Sequence, residues 1–103
     1  MIIETLTVTT TPTSIADLLD TARGTTRAKN GRVSGFNFRV DIAETEPVLI
    51  EEADTDTAVT LLDPANGQTF GSWTDIDMRQ SLLSVASGTV DVGMIASQGG
   101  AGK

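Results

Sequence analysis

The sequence contains no cysteine, no histidine and no tyrosine among its 103 residues. Without cysteine the chain has no disulfide and no thiolate nucleophile, and without histidine it has no Ser-His-Asp triad and no histidine-ligated metal centre. Its aromatic residues are three phenylalanines and one tryptophan, too few to line the cleft of a glycosidase that uses paired carboxylates. We therefore expect a protein that is not an enzyme, with no catalytic, cofactor-binding or metal-binding residues.

Long apolar runs and a positive net charge are also missing. No segment approaches the roughly 20 apolar residues of a membrane-spanning helix, and the opening MIIETLTVTT lacks the basic and apolar regions of a signal peptide. The formal net charge of −7 repels phosphate backbones. These features predict synthesis in the cytoplasm and a partner that is neither a membrane nor a nucleic acid.

The charges that are present are separated along the chain. Residues 23–39 carry five basic side chains and no acid, whereas residues 41–77 carry ten acidic side chains and no base. Either these segments are two solvated surfaces of opposite sign, or the basic segment docks on an acidic surface of its own domain or of a neighbour. The second interpretation makes candidate interface residues of Arg23, Arg27, Lys29 and Arg32.

One short helix is predicted over residues 14–22. Its apolar residues follow the i, i+3, i+4, i+7 spacing of a helical stripe, and Thr13 or Ser14 can cap its start. Gly24 is well placed to end it in the left-handed conformation. The stripe consists of Ile15, Leu18, Leu19 and Ala22.

The rest of the chain alternates between apolar and polar residues, which is typical of half-buried strands. We expect Phe36, Phe38, Val40 and Ile42 to face the core from one strand, and Val90, Val92 and Met94 from the last. The predicted strands cover residues 2–11, 36–43, 48–52, 58–62, 68–76, 82–86 and 89–96.

Turn signals separate these short strands at close intervals. This pattern predicts an all-β fold, an antiparallel β-sandwich or small barrel with one short N-terminal helix. We expect residues 1–97 to form a single β-sandwich domain. Residues 98–103, QGGAGK, are expected to form a flexible Gly-rich tail.

Trp73 is the candidate whose role the pattern leaves open. In a regular strand over residues 68–76, Phe70 and Ile76 would face the core and Trp73 would face the opposite way. Either a bulge near Gly71 turns Trp73 into the core, or Trp73 is an exposed interface anchor. A sugar-stacking platform is the third alternative.

The acidic turn EEADTDTA invites a comparison with calcium-binding loops. Asp54 and Asp56 have the D-x-D spacing of an EF-hand, but the positions that require glycine and glutamate hold Val59 and Ala65. The EF-hand pattern therefore fails. A solvated acidic turn and a looser Ca²⁺ site within residues 51–56 remain as alternatives.

A longer pattern occupies residues 58–97, AVTLLDPANGQTFGSWTDIDMRQSLLSVASGTVDVGMIAS. It contains an apolar strand, a Pro-Gly turn, a strand of small polar residues, an Asp-led crossing, another apolar strand and a final V-x-V-x-I strand. This order resembles the C-terminal half of small tailed-bacteriophage virion proteins. The opening LTVTTTPTSIADLL resembles the N-terminal strand and helix of the same group.

The resemblance implies a β-sandwich or small barrel that works in a virion. The leading hypothesis is a capsid decoration (cement) protein on the capsid surface. Such a protein binds the major capsid protein as a homo-oligomer, a trimer or a dimer, and stabilises contacts between capsid subunits. One alternative is a phage neck, tail or head-fibre component. Another, from a different class, is a ligand-binding β-module with Trp73 and the acidic turns as its site.

Overall fold

A computed structural model describes residues 2–24, 33–52, 57–74 and 78–98. The elements are β1 (Ile2–Val8), β2 (Thr13–Ser14), α1 (Ile15–Arg23), β3 (Val33–Arg39), β4 (Val48–Glu51), β5 (Val59–Leu62), a 3₁₀ turn (Pro64–Asn66), β6 (Phe70–Thr74), β7 (Leu82–Val85) and β8 (Val90–Gln98). The first sheet has the order β1-β8-β3-β6 and the second has the order β2-β7-β4-β5. Every pairing is antiparallel. The fold is thus an all-β sandwich, and its described strands do not close into a barrel.

The α-helix in the described part of the chain, Ile15–Arg23, begins and ends one residue later than the predicted range of 14–22. The Ser14 hydroxyl accepts a hydrogen bond from the backbone N–H of Asp17 at 3.1 Å, so Ser14 and not Thr13 is the N-cap. Gly24 closes the other end with φ at 66°, and its N–H donates to the carbonyl of Asp20. Ile15, Leu18 and Leu19 of its apolar stripe are buried in the same core as the strands. The fourth predicted member, Ala22, is exposed in the last turn, and Ala16 is buried instead.

The core lies between the two sheets and under the helix. Phe36 and Phe38 stack with their ring centroids 5.9 Å apart, and both are fully buried. The alternation predicted for the last strand is confirmed, because every second residue from Val90 to Ala96 is buried. The second sheet contributes Val48, Leu62, Leu83 and Val85.

The prediction that Ile42 faces the core is wrong, since its side chain is 87% exposed. β3 ends at Arg39, four residues earlier than predicted. The carboxylate of Asp41 accepts a hydrogen bond from the N–H of Ala43 at 2.8 Å, and the carbonyl of Asp41 accepts one from Glu44. This local turn competes with the sheet for the backbone and carries Ile42 out of the strand.

The predicted orientation of Phe70 is also wrong. β6 pairs with β3 in regular register from Phe70 to Thr74, without a bulge. In that register Phe70 points outward and is 67% exposed, whereas Trp73 points inward. Ile76, which the sequence pattern also predicts to face the core, lies outside the described residues.

The boundary of the predicted tail also differs slightly from the structure. β8 extends to Gln98, the first residue assigned to the tail, and Gln98 pairs with Val33. The remaining tail residues, 99–103, lie outside the part of the chain that the structure describes.

Candidate interaction surface

Arg23 is the only predicted interface cation that the structure describes. It lies at the C-terminal end of α1, and its Nε is 3.6 Å from a carboxylate oxygen of Glu4 on β1. This partly exposed ion pair ties the helix to the first sheet, so Arg23 acts at least in part within its own domain. Arg27, Lys29 and Arg32 lie outside the described residues, and the basic loop stays a prediction.

Trp73 packs against the core while keeping part of its ring accessible. Its ring centroid is 5.8 Å from that of Phe38, at an interplanar angle of 56°. The other side of the residue borders a cleft of about 560 Å³ that Ile50, Leu61 and Met78 also line. Trp73 is therefore a wall residue between the core and this cleft. Its role as an interface anchor stays a prediction.

The first sheet has one face that no described element covers. We call this face the open face, and define it by the side chains that point away from the second sheet. Their exposure alternates with that of the buried core residues along each strand. The members are Ile3, Thr5 and Thr7 on β1, Asp91, Gly93 and Ile95 on β8, Asn37 and Arg39 on β3, and Phe70 and Ser72 on β6.

The sheet register arranges these residues in cross-strand rows. Ile3 lies opposite Ile95, which places two exposed aliphatic side chains next to each other. The adjacent row contains Gly93, then Arg39, then Phe70. The guanidinium carbon of Arg39 is 5.8 Å from the centroid of the Phe70 ring, so the cation leans over the aromatic face.

Gly93 is one of the residues that line a depression in the open face. The depression has a volume of about 530 Å³, and Ile3, Ile95 and Phe70 are among the residues that line it. A Cβ built on Gly93 would lie 3.6 Å from the carbonyl oxygen of Arg39, which is an ordinary contact. The packing of the protein itself therefore does not require glycine here, and its practical effect is to leave the surface concave.

The open face differs electrostatically from the whole chain. Its only charged members are Arg39 and Asp91, one of each sign, whereas the chain has a formal net charge of −7. The Asp91 carboxylate accepts a hydrogen bond from the Thr7 hydroxyl at 3.3 Å. Ser72 similarly donates to the side-chain oxygen of Asn37. The face thus combines three exposed apolar side chains with polar neighbours, carries no net charge, and contains two local side-chain hydrogen bonds.

Sequence reasoning missed the open face, although a signal was present. Ile3 and Ile95 stand at the strand positions that alternate with buried residues, where polar side chains are usual. Three consecutive apolar residues, Met94, Ile95 and Ala96, also interrupt the alternation of the last strand. Apolar residues at solvent-facing positions indicate a binding surface only where they cluster, as Ile3 and Ile95 do across β1 and β8. Phe70 gave no such signal, because the sequence pattern predicts that it faces the core.

The described ranges offer little for metal or membrane chemistry. Within them, no group of three or more carboxylate, histidine or cysteine side chains is arranged to hold a metal ion. Nor does the described part of the chain contain a helix that is long and apolar enough to cross a membrane. The acidic turn suggested for Ca²⁺ falls mainly on residues 53–56, outside the described residues.

Comparison with protein-family models, with curated proteins and with solved structures finds no match to this chain. The class that the fold defines is therefore an all-β, two-sheet sandwich. Its distinguishing feature is the open face of the first sheet, which carries three exposed large apolar side chains.

Proposed function

We propose that this chain is a non-enzymatic structural protein of a tailed-bacteriophage virion. In this proposal it is a capsid decoration (cement) protein that binds the major capsid protein on the outer capsid surface and stabilises contacts between capsid subunits. The observation that carries the assembly role is the amount of large apolar surface that the described elements leave uncovered. The resemblance of residues 58–97 to small phage virion proteins supplies the virion context.

The uncovered residues are substantial for so small a domain. Ile42, Phe70, Ile3, Val59 and Ile95 have exposed fractions between 87% and 45%. Single exposed apolar residues are normal, but contiguous apolar patches mark sites where another surface binds. Three of the five gather on the open face, which supports a protein whose surfaces are covered in an assembly.

The basic segment supplies a second, electrostatic contribution. Arg27, Lys29 and Arg32 would face an acidic region of the major capsid protein and speed its encounter with the decoration protein. Exposed charge pairs are screened by salt, because the Debye length is about 8 Å at physiological ionic strength. Capsid binding through this segment should therefore weaken as salt is raised.

The test uses capsids that were assembled without this protein. Purified protein is mixed with empty capsids of the phage that encodes it, and the mixture is sedimented. We expect the protein to sediment with the capsids at a fixed stoichiometry and to raise their temperature of disruption. Failure to bind, with binding to isolated tails instead, would assign the protein to the neck, tail or head fibre.

The cleft beside Trp73 favours one other class of function, a ligand-binding β-module. Trp73 is the only tryptophan, so its fluorescence reports directly on occupation of the cleft. Titration with oligosaccharides tests the sugar-stacking interpretation of the same residue. A saturable change in emission that Trp73→Phe abolishes would support the module, and an unchanged spectrum would count against it.

A further inference from the structure

We propose that two copies of this chain bind each other face to face through their open faces, about a two-fold axis that runs along β3. This inference goes beyond the proposed capsid role, because it concerns the contact between copies and not the contact with the capsid. It rests on the charges, the shape and the strand order of the open face.

The charges of the open face favour a second copy of this chain as the binding partner over a strongly acidic or basic protein. A strongly acidic or basic partner would be matched by a face of opposite net charge, whereas the open face carries one cation and one anion. A two-fold interface is self-complementary, so Arg39 of one copy can approach Asp91 of the other, and the reverse contact follows by symmetry. Elsewhere the net charge of −7 makes two copies repel each other, and the neutral face is where they can meet.

The shape of the open face is also self-complementary. Phe70 projects from β6 as a large exposed ring, and Gly93 on β8 leaves a depression of about 530 Å³. The same surface therefore carries both a protruding aromatic group and a place that can receive one. Aromatic side chains that enter a pocket at the centre of an interface contribute most of its binding energy.

The strand order places these groups correctly for a two-fold axis. β3 lies between β8 and β6, and Gly93, Arg39 and Phe70 follow one another across the three strands in a single row. An axis along β3 exchanges the positions of β6 and β8, so Phe70 of each copy lies over Gly93 of the other. Arg39 leans over Phe70, so its guanidinium lies on the side of the face that meets β8 of the other copy. That strand carries Asp91.

The size of the face sets the expected strength. With the axis along β3, the strands β8, β3 and β6 of the two copies overlap, and β1 lies beyond the other copy's β6. Three strands at a spacing of about 4.8 Å and seven residues at a rise of about 3.4 Å give an overlap of roughly 14 by 24 Å. Two such faces bury roughly 700 Å² together, which is less than the roughly 1,200 Å² at which stable, specific complexes begin. We therefore expect a weak, concentration-dependent dimer that is detected at high micromolar to millimolar protein concentrations.

Sedimentation equilibrium of the full chain and its variants tests the inference. The wild type should form a dimer, and Phe70→Ser and Gly93→Val should each weaken dimerisation by at least about tenfold. Phe70 is exposed, and a Cβ at Gly93 meets only an ordinary contact, so both variants should keep the fold. Val59→Thr is the matched control and should dimerise like the wild type, because Val59 lies on the second sheet and is 57% exposed, against 67% for Phe70.

A pair of charge variants tests the symmetry itself. Arg39→Glu leaves two acids on the open face and Asp91→Lys leaves two bases, so each variant alone should be monomeric. An equimolar mixture should form a heterodimer, because each face then meets its opposite. Monomeric wild-type protein, a trimer, or dimers unaffected by Phe70→Ser and Gly93→Val would overturn the inference.

The outcomes also separate this inference from the proposed function. Wild-type protein that binds capsids but never dimerises would refute only the contact between copies. A dimer that fails to bind capsids would refute only the decoration role. Capsid binding that is lost in Phe70→Ser and Gly93→Val while the free protein is monomeric would assign the open face to the capsid, and overturn the inference.

Discussion

The indole ring of Trp73 lies directly over the α-carbon of Gly71, two residues away on the same face of β6. A Cβ at position 71 would collide with the ring carbons of Trp73, whereas hydrogen leaves room for the ring to reach Phe38. The glycine and the tryptophan therefore form one packing unit at the edge of the first sheet. Gly93, on the opposite face of the same sheet, has no such neighbour.

This contrast predicts different outcomes for two Gly→Ala substitutions. Gly71→Ala should lower the free energy of unfolding by about 1–3 kcal/mol, because the added methyl group displaces the Trp73 ring. Gly93→Ala should be neutral or stabilising by up to about 1 kcal/mol, because alanine loses less backbone entropy on folding. Urea denaturation of both variants measures the difference, and equal losses would contradict the packing described here.

Phe38 is predicted to be a central residue of the core. It is fully buried and contacts both Phe36 and Trp73, so Phe38→Ala should cost about 3–5 kcal/mol of unfolding free energy. Ile42→Ala, at an 87% exposed position, should change stability by less than about 0.5 kcal/mol. Thermal unfolding followed by circular dichroism checks both values, and a large loss from Ile42→Ala would place that residue back in the core.

Trp73→Ala separates core packing from an anchoring role. The ring is half-buried against Phe38, so its removal should cost about 2–3 kcal/mol in folding, less than the roughly 3–5 kcal/mol of a fully buried ring. We expect the folded fraction to bind capsids as the wild type does. Unchanged stability together with a loss of about 2 kcal/mol in assembly would instead make Trp73 an interface anchor.

Charge reversal of the basic segment tests its contribution to capsid binding. Replacement of Arg27, Lys29 and Arg32 by glutamate should abolish capsid binding and its dependence on salt, since the electrostatic attraction becomes repulsion. The far-ultraviolet circular dichroism spectrum should remain that of the wild type. Undiminished binding by this triple variant would remove the basic segment from the proposal.

The secondary structure could largely be predicted because its signals are local. The helix depends on a cap at Ser14, a stop at Gly24 and an apolar stripe between them, all within eleven residues. The strand at Val90 could be predicted because its alternation runs unbroken to Met94. In both cases the side chains nearby in sequence are sufficient to determine the conformation.

The errors arose where distant contacts decide the structure. A period of two does not show where a strand stops, and the turn at Asp41 ends β3 before Ile42. Alternation also leaves the choice of inward face open, and in β6 the pairing with β3 and the fit of Trp73 over Gly71 turn Phe70 outward. The open face could not be assembled from sequence, because its rows join β1 and β8, from the two ends of the chain, with β3 and β6 from its middle.

Cryo-electron microscopy of reconstituted capsids tests the proposed function most directly. Empty capsids assembled without this protein are incubated with an excess of it and reconstructed with their symmetry imposed. The proposal predicts added density on the outer surface, at every equivalent position between major capsid subunits, into which the two-sheet sandwich fits. Capsids that remain bare at saturating protein concentration would contradict it.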